Sequence, residues 1–157
     1  MRKAFKIFVA GTFVVYVLVL FRLVFMVSRG FWRDMSIWEY AMARMNLVPF
    51  KTITGYIKAI INNSMNLSIP LMNLFGNLLM FLPMGMYLPL LFKKLDSWKK
   101  YLIAIIAMLL GVELVQLLTK LGSFDIDDLI LNMSGAVIGF ALWKTTLVQW
   151  LKNKVWD

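Results

Sequence analysis

The chain has 157 residues, of which 61% are hydrophobic, and its mean hydropathy is +0.77. Soluble domains are only about 45–50% apolar, so this composition indicates an integral membrane protein, small enough for residues 1–157 to form one domain. The absence of Cys and His excludes disulfides, thiolate chemistry and imidazole bases. The net charge of +9 is explained by Lys and Arg that flank apolar spans and face anionic lipid, rather than by nucleic-acid binding.

Four apolar stretches are long enough to cross a membrane as helices, which requires about 20 residues each. They cover roughly residues 5–27, 71–92, 101–119 and 129–148. We therefore predict an all-α integral membrane protein, a bundle of about four transmembrane helices. The first stretch follows Arg2, Lys3 and Lys6 but lacks a small-x-small cleavage pattern, so we expect an uncleaved signal anchor.

The segment between the first two spans, residues 28–70, mixes aromatic, basic and small polar residues. Its apolar residues Ile53, Tyr56, Ile57 and Ile60 share one face of a helix, which Lys58 does not. This pattern predicts a short amphipathic helix that lies in the membrane interface. A turn is expected just before it, at Pro49.

The second span carries Asn73 and Asn77 one helical turn apart. We expect Pro83 with Gly85 to kink or loosen this helix and Pro89 to end it.

The third span has a carboxylate, Glu113, inside an apolar run, with Gln116 one turn later. A carboxylate in lipid costs several kcal/mol unless it is paired, protonated or facing a wet cavity, so Glu113 is a functional-site hypothesis. The alternative interpretation is that both residues form hydrogen bonds between helices.

Three acidic residues precede the fourth span: Asp125, Asp127 and Asp128. Capping by Ser123 or Asp125 explains one of them. Three like charges repel unless a cation lies among them. The available cations are Lys120, the basic residues of segment 28–70, a divalent ion or a cationic ligand. Further along, Gly135 and Gly139 predict a close helix contact.

Basic residues flank the N-terminus, the loop between spans two and three, and the C-terminus, which predicts that both termini are cytoplasmic. The Asp125–Asp128 turn would then lie outside, together with six basic residues of the long segment: Arg22, Arg29, Arg33, Arg44, Lys51 and Lys58. With this topology, polar residues of three spans meet near the outer face. The predicted site consists of Asn77, Glu113, Gln116, Asp125, Asp127, Asp128 and Asn132. Asp96 and Asp157 lie in cytoplasmic flanks and should tolerate alanine.

Residues 44–140 also carry an ordered set of short motifs. In chain order they are Asn46-Leu47-x-Pro49-Phe50, Asn73, Gly76-Asn77, Phe81-Leu82-Pro83, Gly85, Glu113-x-x-Gln116, Asp125-Ile126-Asp127-Asp128, Leu131-Asn132, Gly135 and Gly139. This set resembles the VanZ-like family of small bacterial membrane proteins. The resemblance implies an association with resistance to teicoplanin and related lipid-tailed glycopeptides, and no settled biochemical activity. Many members carry an Arg shortly before the Asp motif, where this chain has only Lys120.

Two main functions follow. In the first, a non-enzymatic protein of the bacterial plasma membrane has an outward polar site that binds an envelope lipid or reduces antibiotic access at the outer face. Its partners would be membrane lipid, a lipid-linked precursor or a glycopeptide. In the second, an enzyme acts on a lipid-linked phosphate or sugar through Glu113 and the Asp127/Asp128 pair, with Arg44 or Lys51 holding phosphate. A purely structural role is the third possibility. We expect no cofactor, although a divalent cation such as Mg²⁺ or Ca²⁺ is compatible with the acidic residues.

Overall fold

The computed structural model describes residues 2–26 and 34–155. Within these ranges, four helices are long and apolar enough to cross a membrane, which confirms the prediction of a helical membrane protein. They are α1 (Arg2–Phe25), α4 (Ser68–Leu91), α5 (Trp98–Thr119) and α6 (Ile126–Trp143). Arg29, Arg33 and Asp157 lie outside the described residues.

Helices α4 and α6 form the most closely packed pair of the bundle. Gly135 lies against the carbonyl of Leu78, and Gly139 lies against that of Leu82 one turn later. The two helices therefore run parallel, and a side chain at either glycine would collide with the α4 backbone. This confirms the close contact predicted at Gly135 and Gly139, since small residues let two membrane helices approach.

Helix α4 is continuous through both of its internal prolines and ends at Leu91. The prediction that Pro89 ends the helix is therefore wrong. Pro89 is buried, and packing against neighbouring helices tolerates a proline that would end an isolated helix.

The end of the bundle where α4 stops, α5 starts and α6 stops is closed by specific contacts. The rings of Tyr101 and Phe140 stack with centroids 4.1 Å apart. Asp96 accepts a hydrogen bond from the indole of Trp143 (2.8 Å) and pairs with Lys144 (2.7 Å). Trp143 is buried, so the expectation that Asp96 tolerates alanine is not supported, because the indole N–H would lose this acceptor.

The segment before α4 covers the opposite end of the bundle. It contains α2 (Ile37–Arg44), a two-residue strand β1 (Met45–Asn46) and α3 (Lys51–Ile61). Strand β1 pairs in parallel with β2 (Phe124–Asp125), which lies between α5 and α6. The hydroxyl of Tyr40 donates to the carbonyl of Gly122 (2.7 Å) and fixes α2 over the end of α5.

Helix α3 confirms the short helix predicted in this segment, and it packs against α4 and α6. Ile53, Tyr56 and Ile60 are half-buried, whereas Ile57 is exposed. A turn over residues 48–50 precedes the helix, as predicted at Pro49, and Phe50 adopts a left-handed conformation with φ of 64°.

The fourth span is displaced along the chain from its predicted range. Helix α6 starts at Ile126, three residues earlier than expected, and ends at Trp143, after which α7 (Thr146–Val155) begins. Asp127 and Asp128 therefore lie in the first turn of α6 and not in the preceding turn. The shift has a physical cause, because Asp125 caps the helix by accepting a hydrogen bond from the backbone N–H of Asp127.

Candidate functional site

Asp127 has a carboxylate that is fully buried and fully used. One oxygen accepts the backbone N–H of Phe50 (2.5 Å), and the other accepts those of Thr52 (2.7 Å) and Ile53 (3.1 Å). These N–H groups belong to the start of α3, where a helix has no partners of its own for its first donors. Asp127 therefore caps α3 from another helix, and its negative charge also complements the positive end of the α3 dipole.

Asp125 is used in a similar way. Its Oδ1 accepts from the side-chain amide of Asn46 (3.0 Å) and from the backbone of Asp127 (2.9 Å), and its Oδ2 accepts from the hydroxyl of Thr52 (2.7 Å). Asp125 and Asp127, together with Asn46, Phe50, Thr52 and Ile53, form what we call the aspartate clamp. The clamp attaches α3 to the start of α6, and all four carboxylate oxygens are occupied by it.

The other five predicted site residues line one cavity, which we call the polar chamber. Its volume is about 110 Å³, and its polar lining comes from three helices: Asn77 of α4, Glu113 and Gln116 of α5, and Asp128 and Asn132 of α6. Leu23 and Val24 of α1 form part of its wall. The structure thus brings these five residues together and assigns Asp125 and Asp127 to the clamp beside them. Asn73 is not among the lining residues.

Hydrogen bonds fix the walls of the polar chamber but leave acceptors free. Asn77 donates to Oδ1 of Asp128 (2.5 Å), the backbone N–H of Asp125 donates to Oε2 of Glu113 (3.1 Å), and Gln116 donates to the carbonyl of Val24 (2.9 Å). Among the described residues, Oε1 of Glu113 and Oδ2 of Asp128 have no hydrogen-bond partner.

Asn132 is the least satisfied side chain in the polar chamber. It is only 7% exposed, and its Oδ1 is buried without a hydrogen-bond partner in the described part of the chain. Buried polar atoms in native proteins nearly always have a partner, either protein or an ordered molecule. The free Oδ1 of Asn132 can therefore accept a hydrogen bond from a ligand in the chamber.

A second cavity adjoins the polar chamber, and we call it the mouth. It is open, has a volume of about 270 Å³, and shares Gln116 and Asp128 with the chamber. Arg44, at the end of α2, lines this mouth and brings a positive charge beside Asp128. Of the two basic residues considered as phosphate ligands, Arg44 is thus placed near the site, whereas Lys51 is not among the lining residues of either cavity.

Two further residues connect the α2–α3 segment with this region. Burial raises the pKa of the Tyr56 hydroxyl on α3, and the nearby carboxylates of Asp128 and Asp125 raise it further. Lys120 adopts the left-handed conformation that ends α5, and its ammonium group donates to the carbonyl of Met35. The latter contact shows that Lys120, considered above as a partner of the acidic residues, also has a structural contact with the segment before α2.

Sequence reasoning missed the partners of the clamp. Asn46 and Phe50 were noted only as part of a motif and a turn, and Thr52 was not singled out, yet all three bind the aspartates of the other motif. The signal in the sequence was that the motif with Asn46 and the motif with Asp125 both belong to the set that resembles the VanZ-like family. No group of three or more His, Cys, Asp or Glu residues with an arrangement suited to a metal ion occurs within residues 2–26 and 34–155.

No solved structure matches the chain. Protein VanZ of Enterococcus faecium is 28% identical over 109 residues, which cover 69% of this chain and 58% of that protein. The chain thus matches somewhat more than half the length of this relative. The family model VanZ/LLP1 matches residues 13–149, which include the aspartate clamp and the polar chamber. Because that match covers most of the sequence, the chain belongs to the VanZ/LLP1 family.

Proposed function

We propose that this protein contributes to resistance to lipid-tailed glycopeptides such as teicoplanin, and that it does so as a non-enzymatic protein of the bacterial plasma membrane. Its polar chamber would bind the polar group of an envelope amphiphile and thereby reduce access of the drug. Family membership supports the association with resistance. The observation that carries the binding role is the polar chamber, in which Oδ1 of Asn132 is buried without a partner and Glu113 and Asp128 each accept a single hydrogen bond.

Packing alone does not account for these residues. The bonds from Asn77 to Asp128 and from Gln116 to Val24 are the interhelical hydrogen bonds that a structural role requires. Such bonds contribute about 0.6 kcal/mol on average in membrane proteins. A charged side chain in a membrane helix costs more than that. Glu113 accepts a single hydrogen bond, from Asp125, and Asn132 accepts none at its Oδ1, so both are explained better by a ligand.

The distribution of basic residues supports an outward orientation of the polar chamber. Val24 of α1 lines the chamber together with Asn77 of α4, whereas Phe13 contacts Tyr87 (ring centroids 5.3 Å apart), so α1 runs antiparallel to α4. The α1 N-terminus, the α4–α5 connection and the α6 C-terminus therefore lie at the end opposite the chamber. That end carries most of the basic residues: Arg2, Lys3, Lys6, Lys93, Lys94, Lys99, Lys100, Lys144, Lys152 and Lys154. Excess Lys and Arg mark the cytoplasmic side.

The test is a comparison of Glu113→Gln with the wild type in a glycopeptide-susceptible bacterium. The substitution removes the charge but keeps the shape and hydrogen-bonding capacity of the side chain. We expect loss of tolerance to teicoplanin, with abundance and thermal stability near those of the wild type. A glycopeptide without an acyl tail serves as the comparison drug, and its inhibitory concentration should change little for any variant.

The matched control is Glu39→Gln, because Glu39 is also a glutamate but is exposed on α2, where glutamine can keep its hydrogen bond from the Ser36 backbone. This control should retain full tolerance. Full tolerance in Glu113→Gln at normal abundance would contradict the proposal and leave interhelical packing as the role of Glu113.

A further inference from the structure

An apolar groove runs along the bundle between α1, α4 and α5. Its volume is about 250 Å³, and hydrophobic side chains line it, among them Val17 and Phe21 of α1 and Met108 of α5. A cavity of about 150 Å³ already accommodates a benzene ring, so the groove has room for a hydrocarbon segment. Val9 is the only buried residue among those of α1 whose side chains are described, and the groove is therefore open on the side where lipid chains would lie.

The apolar groove adjoins the polar chamber. Val24, Phe81 and Val112 line both of them. A hydrocarbon chain in the groove would therefore end next to the polar chamber. One ligand with an apolar and a polar part can occupy both spaces, which a soluble polar ligand would not do.

The charges of the polar chamber define the polar part of that ligand. Glu113 and Asp128 contribute two carboxylates, no Lys or Arg is among the chamber's lining residues, and Arg44 lines the mouth. The chamber lining thus contains two acidic side chains and no basic one, which favours a cationic ligand. Oδ1 of Asn132 and the free oxygens of Glu113 and Asp128 are acceptors. An ammonium group offers three donors and no acceptor.

We propose that the polar chamber and the apolar groove are two halves of one site for an amine-bearing lipid of the surrounding membrane. The ammonium group donates hydrogen bonds to Glu113, Asp128 and Asn132, and the adjoining hydrocarbon chain lies between α1, α4 and α5. Burial of the cation beside two carboxylates provides the pairing that buried charges require. This inference rests on the proposed function and names the ligand class of the same chamber.

The test is equilibrium binding to the full chain in phosphatidylcholine nanodiscs, with dodecylamine as the probe. Dodecanol has the same chain without the cation, and ethylamine has the cation without the chain. We expect saturable dodecylamine binding that is at least about tenfold tighter than that of either comparison compound. Equal affinity for dodecanol would overturn the assignment of an amine, and equal affinity for ethylamine would overturn the role of the groove.

Variants separate the two halves of the site. Glu113→Gln and Asp128→Asn should each weaken dodecylamine binding about tenfold or more, with Glu39→Gln as the control. Val17→Trp should fill the groove and weaken dodecylamine binding to a similar extent. Val15→Trp is its control, because Val15 lies on the same helix, is 61% exposed and is not among the groove-lining residues. Unchanged dodecylamine affinity in Val17→Trp, or in both carboxylate variants, would contradict the proposal.

A failure of this inference can be distinguished from a failure of the proposed function. If Glu113→Gln loses teicoplanin tolerance but dodecylamine binds no better than dodecanol, the chamber functions with a different ligand class and this inference is wrong. If Glu113→Gln keeps full tolerance, the proposed function itself is wrong, whatever dodecylamine does.

Discussion

The four acidic residues in and beside the polar chamber differ in how many of their carboxylate oxygens accept hydrogen bonds from the protein. In Asp125 and Asp127, both carboxylate oxygens accept hydrogen bonds within the aspartate clamp. Glu113 and Asp128 each accept one hydrogen bond. Neighbouring residues of the same type therefore differ in role, and substitution should separate stability from function.

Asp127→Asn should destabilise the protein, whereas Asp128→Asn should change its stability much less. The amide nitrogen of Asn would face backbone N–H groups of α3 that now donate to Asp127. Hydrogen bonds to a charged group contribute about 1.5–3 kcal/mol each, so we expect a loss of at least about 2 kcal/mol in unfolding free energy. Reversible unfolding in detergent measures both variants. Equal stability of the two would contradict the clamp.

Helices α4 and α6 owe their close approach to glycines rather than to polar bonds. Gly135 and Gly139 face the α4 backbone, and Gly85 faces the α6 backbone at Phe140 and Ala136. This contact determines how deep Asn77 and Asp128 lie relative to one another, and these two side chains are bonded across the same pair of helices. The geometry of the chamber therefore depends on residues that do not touch it.

Gly135→Ala should separate α4 from α6 and reduce stability. The added Cβ would overlap the carbonyl of Leu78, which is backbone and cannot rotate away. Overpacking of this kind costs about 1–3 kcal/mol. The control is Gly111→Ala on α5, where an added Cβ meets nothing within 4 Å, and alanine there should be neutral or slightly stabilising. Thermal unfolding in detergent compares the two variants, and equal melting temperatures would contradict the close-contact interpretation.

The whole molecule has two distinct ends. The chamber end carries the polar cavities, the clamp and the α2–α3 cover, while the opposite end is closed by Trp143, Asp96 and Lys144. The excess of basic residues at the latter end favours a cytoplasmic location for it. A lipid-tailed drug that acts from outside would then meet the chamber end first.

Cysteine labelling of intact cells tests this orientation directly, because the chain has no native Cys. Ser123→Cys, at the mouth of the chamber, should react with a membrane-impermeant thiol reagent added from outside. Ser97→Cys, exposed before α5 at the opposite end, should react only after the membrane is permeabilised. The reverse pattern would place the chamber in the cytoplasm and contradict the proposed function.

The sequence by itself determined the features that depend on local composition and helical period. Runs of about 20 apolar residues must become membrane helices, since lipid offers no partners for an open backbone. Alternating helix direction then places Asn77, Glu113 and Asn132 at the same end of the bundle, which follows from the sequence alone. The glycine contact was likewise visible in the spacing of Gly135 and Gly139.

Only the tertiary structure decided which aspartates are free to meet a ligand. The partners of Asp127 are backbone N–H groups about 75 residues earlier in the chain, and every residue except proline carries such a group. The side chains of these partners therefore give no sign of the contact. From the sequence alone, Asp125, Asp127 and Asp128 are equivalent. The fold distinguishes them by bringing the unpaired N–H groups at the start of α3 to Asp127 and leaving Asp128 in the lining of the chamber.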